Sequence, residues 1–149
     1  MLKINFSNTK FLSLIILGIC LLSISENASL ANKIFWIVIT IISIFINRFK
    51  LRFKSFLLSI YAIGLLYVQF IFNQYIFSEE FFINCLGVLL IVKYAELDNK
   101  NNLLSYNLIS MVLSVASLIN GQDILSSIIS LSIIILLVIN MYLIQQKEV

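Results

Sequence analysis

The chain has no histidine, no proline, only four glycines and two cysteines, and its 149 residues include just ten basic and seven acidic ones. Each scarcity removes a class of function. Without histidine there is no imidazole for a His-based metal site, and none for a His-dependent nucleophilic triad. Cys20 and Cys85 both fall inside long apolar runs, where a thiol serves as a small packing residue rather than half of a disulfide or a metal ligand. With no proline and so little glycine, no run is interrupted like the broken helices that hold substrate in many transporters. No phosphate-cradling glycine loop, dinucleotide fingerprint, zinc spacing or glycosidase carboxylate pair is present, so neither an enzyme activity nor a cofactor is implied.

What the chain has is hydrophobicity. A soluble domain is about 45–50% apolar and about 25% charged, whereas this sequence is 61% hydrophobic and 11% charged, with mean hydropathy +1.07. The expected fold is all-α, a polytopic membrane helix bundle forming one domain. The length accommodates about six helices of roughly 20 residues and leaves almost nothing for an extramembrane domain. Net charge is +3. Most of that surplus lies in one short segment, whereas nucleic-acid binding would need a solvated basic face. The expected partner is therefore the lipid bilayer, with no nucleic acid.

That segment carries Arg48, Lys50, Arg52 and Lys54 between two apolar runs. Lys and Arg resist translocation, so a short basic loop stays on the cytoplasmic side, and the other helices follow by alternation. Spans are expected at 11–25, 31–46, 55–73, 78–97, 103–119 and 124–144. Both termini then lie in the cytoplasm, with nine of the ten basic residues inside and Lys33 the exception. The first run also has the layout of a cleavable signal peptide, with a basic start and small residues at Ala28, Ser29 and Ala31; retention as the first helix is the preferred reading. Trp36, near the outer end of the second span, is expected in the interfacial aromatic belt. Glu79 and Glu80 are read as an outer turn, Asp98 or Asn99 as the N-cap of the fifth helix, and 120–123 as a turn.

Three constellations stand out. Asn107, Ser110, Ser114 and Ser117 recur at spacings of three, four and three, so they share one face of helix five. Ser126 and Ser130 lie one turn apart on helix six. Small hydroxyl residues let membrane helices approach and hydrogen-bond, so a packed five–six hairpin is preferred over a polar path, which would need a charge at mid-depth. Lys93 and Glu96 are spaced to pair on one face of helix four. They are read as an inner-interface ion pair in which Lys93 snorkels, or as a contact for a partner protein. Gln69, Asn73, Asn84 and Gln122 are expected among outer headgroups rather than around a shallow pocket, and Asn140 as a hydrogen-bond partner of a neighbouring helix.

One segment invites a family comparison. A Trp-bearing helix precedes a basic loop; a short outer turn then leads into a helix ending Val92-Lys93-Tyr94-Ala95-Glu96-Leu97. The next helix ends in a Gln-containing turn, Ile119-Asn120-Gly121-Gln122-Asp123, before another apolar run. This order resembles the N-terminal membrane region of bacterial membrane-anchored, transglutaminase-like proteins of the TgpA type, whose corresponding helix ends Leu-Lys-x-x-Glu-Leu. The segment Leu97-Asp98-Asn99-Lys100-Asn101-Asn102 is less basic than that family's. The family's external Cys-His-Asp domain has no counterpart, since the chain has no histidine. The resemblance implies the membrane module alone: a non-catalytic multi-pass protein of the bacterial inner membrane. It would anchor or scaffold a partner such as a separately encoded transglutaminase-like protein. The alternative is a small transporter or channel subunit.

Overall fold

Each apolar run becomes an α-helix. The computed structural model describes residues 6–25, 29–49, 52–72, 78–120 and 123–145. Its helices are α1 (Phe6–Ser25), α2 (Leu30–Arg48), α3 (Lys54–Phe72), α4 (Glu79–Ala95), α5 (Lys100–Asn120) and α6 (Ile124–Gln145). The fold is all-α, with no strand among the described residues.

The helix ends differ from the expected spans for local reasons. α1 takes in polar residues before 11, because Thr9 is buried and its carbonyl accepts the Ser13 hydroxyl at 2.8 Å. Serine hydroxyls start two helices: Ser29 accepts from the Asn32 amide at 3.3 Å, and Ser78 from the Phe81 amide at 3.2 Å. Glu79 and Glu80, in the acidic outer turn and inside the span expected from 78, form the first turn of α4, where negative charge complements the helix dipole. α4 stops at Ala95 rather than 97, because the Glu96 amide turns back onto the Lys93 and Tyr94 carbonyls. At the start of α5 the Asn99 carbonyl accepts the first amide, from Leu103 at 3.1 Å. Asp98 caps nothing there; its carboxylate is held by lysines, as described below.

The centre of the bundle is α4. It packs against α1, α2, α3 and α5, while α5 and α6 form a hairpin whose second arm also lies on α1. Val88, Leu90, Ile91 and Ala95 of α4 are completely buried, the pattern of a helix surrounded on every side. The basic segment bears on the orientation of its hairpin, but α4 organises the packing.

The exterior is apolar where that of a soluble bundle would be polar, and polar residues are set within the apolar core. Large apolar side chains point outward along α2 (Ile34, Ile37, Ile41), α3 (Phe56, Ile60, Ile63) and α6 (Ile128, Leu131, Ile135), whereas Asn107, Ser110, Ser114 and Asn140 are buried. Apolar exposure on that scale marks a surface that meets lipid or protein. Four helices, α2, α3, α5 and α6, are long and apolar enough to cross a membrane. The apolar part of α1 covers Thr9–Ser25. α4 has 17 residues, a rise of about 25 Å against a hydrocarbon core of about 30 Å. The expected six spans are thus six helices, of which four meet the criteria for crossing. Trp36 also departs from expectation, being 2% exposed rather than set in an interfacial belt.

Gly87 of α4 faces α1, where an added Cβ would meet the Ile24 Cδ1 at 3.4 Å, an ordinary van der Waals contact. Gly87→Ala is expected to be near neutral, offsetting a slight crowding with a gain of up to about 1 kcal/mol in helix propensity. Gly87→Leu should cost about 1–3 kcal/mol by overpacking. Thermal unfolding in detergent distinguishes them, and equal melting temperatures for the two variants would contradict this packing.

Candidate functional site

The polar residues of one bundle end converge into a latch. The four basic residues expected to set topology divide in the structure. Arg48 and Arg52 are exposed, Lys50 lies outside the described residues, and Lys54 is buried at 7% exposure. Lys54 is the first residue of α3, where the helix dipole already places positive charge. Asp98 compensates: one carboxylate oxygen accepts from the Lys54 Nζ at 2.7 Å, and the other lies 3.6 Å from the Lys10 Nζ. Lys10 also donates to Asn47 Oδ1 at 3.0 Å, and Asn47 Nδ2 donates to the Tyr94 carbonyl at 2.7 Å. Lys54 further reaches the Asn47 carbonyl at 3.5 Å.

Glu96 forms the other half. It sits at the C-cap of α4 rather than within the helix. One of its carboxylate oxygens pairs with Lys93, and the other accepts the Ser55 hydroxyl at 2.8 Å. Its backbone carbonyl accepts Asn102 Nδ2, also at 2.8 Å. Burial by itself pushes the Glu96 carboxyl up. The hydrogen bonds from Lys93 and Ser55, with the Lys93 charge, outweigh that and hold it below its ordinary value, against a small opposing effect of Asp98. The two halves tie α1, α2, α3, α4 and α5 together at this end. Removing one partner of a well-buried pair costs far more than an exposed salt bridge contributes.

A second polar cluster begins about one turn in from the latch, where α1, α5 and α6 meet. Asn140 Nδ2 donates to Asn107 Oδ1 at 2.9 Å and to Ser13 Oγ at 3.3 Å, and the Tyr106 hydroxyl donates to the Ser13 carbonyl at 2.7 Å. Asn107 thus turns to α6, accepting the Asn140 side-chain amide, rather than simply extending the serine stripe, and Asn140 carries the link on to α1. The stripe itself is buried at Ser110, Ser114, Ser117, Ser126 and Ser130. Most of its hydroxyls bond back within their own segment, Ser110 to the Tyr106 carbonyl and Ser114 to that of Met111. Across the hairpin, Ser117 Oγ lies 3.4 Å from Ser130 Oγ. The serines let the helices come close and contribute little interhelical hydrogen bonding.

Gln69 and Asn84, expected among headgroups, are buried at 0% and 7% exposure; Asn73 and Gln122 lie outside the described residues. Sequence reading missed Lys10, Asn47, Ser55 and Asp98 as site residues, and Ser13 and Tyr106 in the inner cluster. Only the i, i+4 pair of Thr9 and Ser13 in an otherwise apolar helix carried a signal. No family model matches the chain, and neither does any curated protein or solved structure.

Asp98→Asn leaves the Lys54 ammonium buried with a neutral partner and is expected to cost about 1–3 kcal/mol. Lys10→Met removes a longer, more exposed contact and should cost less than about 1 kcal/mol. Detergent melting curves at pH 7 test the order, and the reverse order would exclude the latch as described. For Glu96 the folded pKa is depressed, so its contribution is present above the ordinary carboxylate range and is lost as pH falls through the lowered value. Wild type should melt above Glu96→Gln at pH 6–7, with the gap narrowing as pH falls below the ordinary carboxylate range of about 4. A gap unchanged between pH 6 and pH 3 would show that Glu96 acts through something other than its charge.

Proposed function

We propose that this chain is a non-catalytic, multi-pass module of the bacterial inner membrane that scaffolds a partner protein. In this reading all six helices insert. The latch end, with exposed Arg48 and Arg52, faces the cytoplasm together with both termini, as the retention of basic loops favours. α4 crosses with its short apolar stretch extended by Ser78 at one end and Glu96 at the other, and Lys93 snorkels.

The observation that carries the reading is the disposition of charge. Every charged residue that the structure describes lies within about two turns of a helix end, and those turned inward, Lys54 above all, are tied to partners. Ion and proton pathways place ionisable groups near the bilayer midplane. Here that depth is occupied by packed apolar side chains and by neutral amides and hydroxyls, Asn140 bonded to Asn107 among them. A module of this kind offers a rigid framework to another protein. The resemblance of the Lys93–Glu96 segment to transglutaminase-like membrane regions supports a separately encoded protein of that class as the partner, with the latch end or the outward apolar faces making the contact. The rival reading is a small transporter or channel subunit.

Gentle extraction of a tagged chain from native membranes, followed by mass spectrometry, separates the readings. A single extramembrane-domain protein should co-purify in near-stoichiometric amount, and Glu96→Ala should lower its recovery. Recovery of the chain alone as a defined homo-oligomer, with substrate-dependent flux in liposomes, would replace the scaffold by the transporter.

A further inference from the structure

α1 and α2 both rest on α4 but make little contact with each other. Between them runs a groove of about 360 Å³, walled by Gly18, Leu21 and Leu22 of α1 and by Trp36, Ile37 and Ile41 of α2. The volume falls in the range of small-ligand sites, about 300–1,000 Å³. A Cβ added at Gly18 would meet nothing within 4 Å, so this glycine opens the deep end. Ser25 and Lys33 stand at the mouth, away from the latch. From Lys33 to Ile41 the α2 wall is about 12 Å long at 1.5 Å per residue.

The polar groups along the groove narrow the choice of occupant. Two hydroxyls are already used within their own helices, Ser25 on the Leu22 carbonyl and Thr40 on the Trp36 carbonyl. One charge remains. The exposed Lys33 ammonium makes no ion pair among the described residues. The indole Nε1 of Trp36 has no hydrogen-bond partner among the described residues either, but it is covered and presents no surface to the groove, so Trp36 contributes an apolar wall. Lys33 and Trp36 are three positions apart and so lie on one face of α2, the charge at the mouth and the ring one turn deeper. An occupant therefore needs a negative charge followed by an apolar tail narrow enough for this volume. A transmembrane helix, about 10–12 Å across, is too thick for it. An anionic phospholipid has both in that order: phosphate and acyl chain.

We propose that the α1–α2 groove is a binding site for an anionic phospholipid, with one acyl chain along Gly18 and the phosphate on Lys33. The site rests on bilayer insertion and is independent of the scaffold reading. The full-length chain would be reconstituted in phosphatidylcholine vesicles carrying a trace of phosphatidylglycerol with a photoactivatable acyl chain, and the labelled peptides mapped by mass spectrometry. Labelling of 14–25 and 33–44 should exceed that of the lipid-exposed faces of α3 and α6 several-fold and be competed by unlabelled phosphatidylglycerol. Gly18→Phe and, from the opposite wall, Ile37→Trp should each abolish the excess while leaving α3 and α6 labelled. Lys33→Gln should reduce the preference for phosphatidylglycerol over an equivalent phosphatidylcholine probe about fivefold. Uniform labelling of all exposed helices, or an excess that survives both filling variants, would overturn the site. Chain-to-chain cross-links across α1 and α2 would give the groove to a second copy instead. Absence of label on α3 and α6 as well would remove the membrane reading along with the site.

Discussion

In an apolar medium each polar group that finds its partner within the protein holds one register, and these few bonds shape the bundle more than the apolar packing does. Leu, Ile and Phe supply bulk everywhere and discriminate little between one helix arrangement and another. Asn140 discriminates strongly: its amide meets Asn107 and Ser13 only when α1, α5 and α6 assemble in this register. Asp98 does the same at the bundle end, where it serves Lys54 on α3 and Lys10 on α1 together. With abundant interchangeable apolar surface, a few buried polar bonds are what select one packing from many, the role best attested for buried polar residues in coiled coils.

α4 complements this. The burial of its C-terminal half lets it serve as a common core for its neighbours, and its shortness brings the Glu96–Asn99 turn down to the level where α2 ends and α3 begins. The latch exists because that turn and the α2–α3 connection meet at one height. A longer α4 would carry Asp98 beyond Lys54, so helix length and charge position depend on each other.

The helices themselves were legible, because long apolar runs separated by Asn, Ser, Asp and charged residues leave few alternatives. Much of the rest was not. Arg48, Arg52 and Lys54 share one short loop and one charge, and nothing in their spacing marks Lys54 as the buried member; Asp98 far downstream decides that. Lys93 and Glu96 were readable as a pair because three residues on a helix is a local distance, whereas Ser55 reaches Glu96 across 41 positions. Asn140 was legible as an interhelical donor, but its partners were not. Trp36 misled in the opposite direction: a tryptophan near a helix end is expected at an interface, yet here it is covered because α2 leans on α4.

The pairings also have a temporal order. Tyr106 reaches back 93 positions to Ser13, and Asn140 reaches back 127 to the same residue. During synthesis α1 and α2 therefore emerge long before the residues that fix them have been made. Lys10 and Asn47 can meet early, but the carboxylate of Asp98 arrives only after α4, and the last bond to Ser13 only with α6. Until then the first hairpin has the Lys10–Asn47 bond and no other of these ties, so the bonds that fix the N-terminal half are supplied by the C-terminal one.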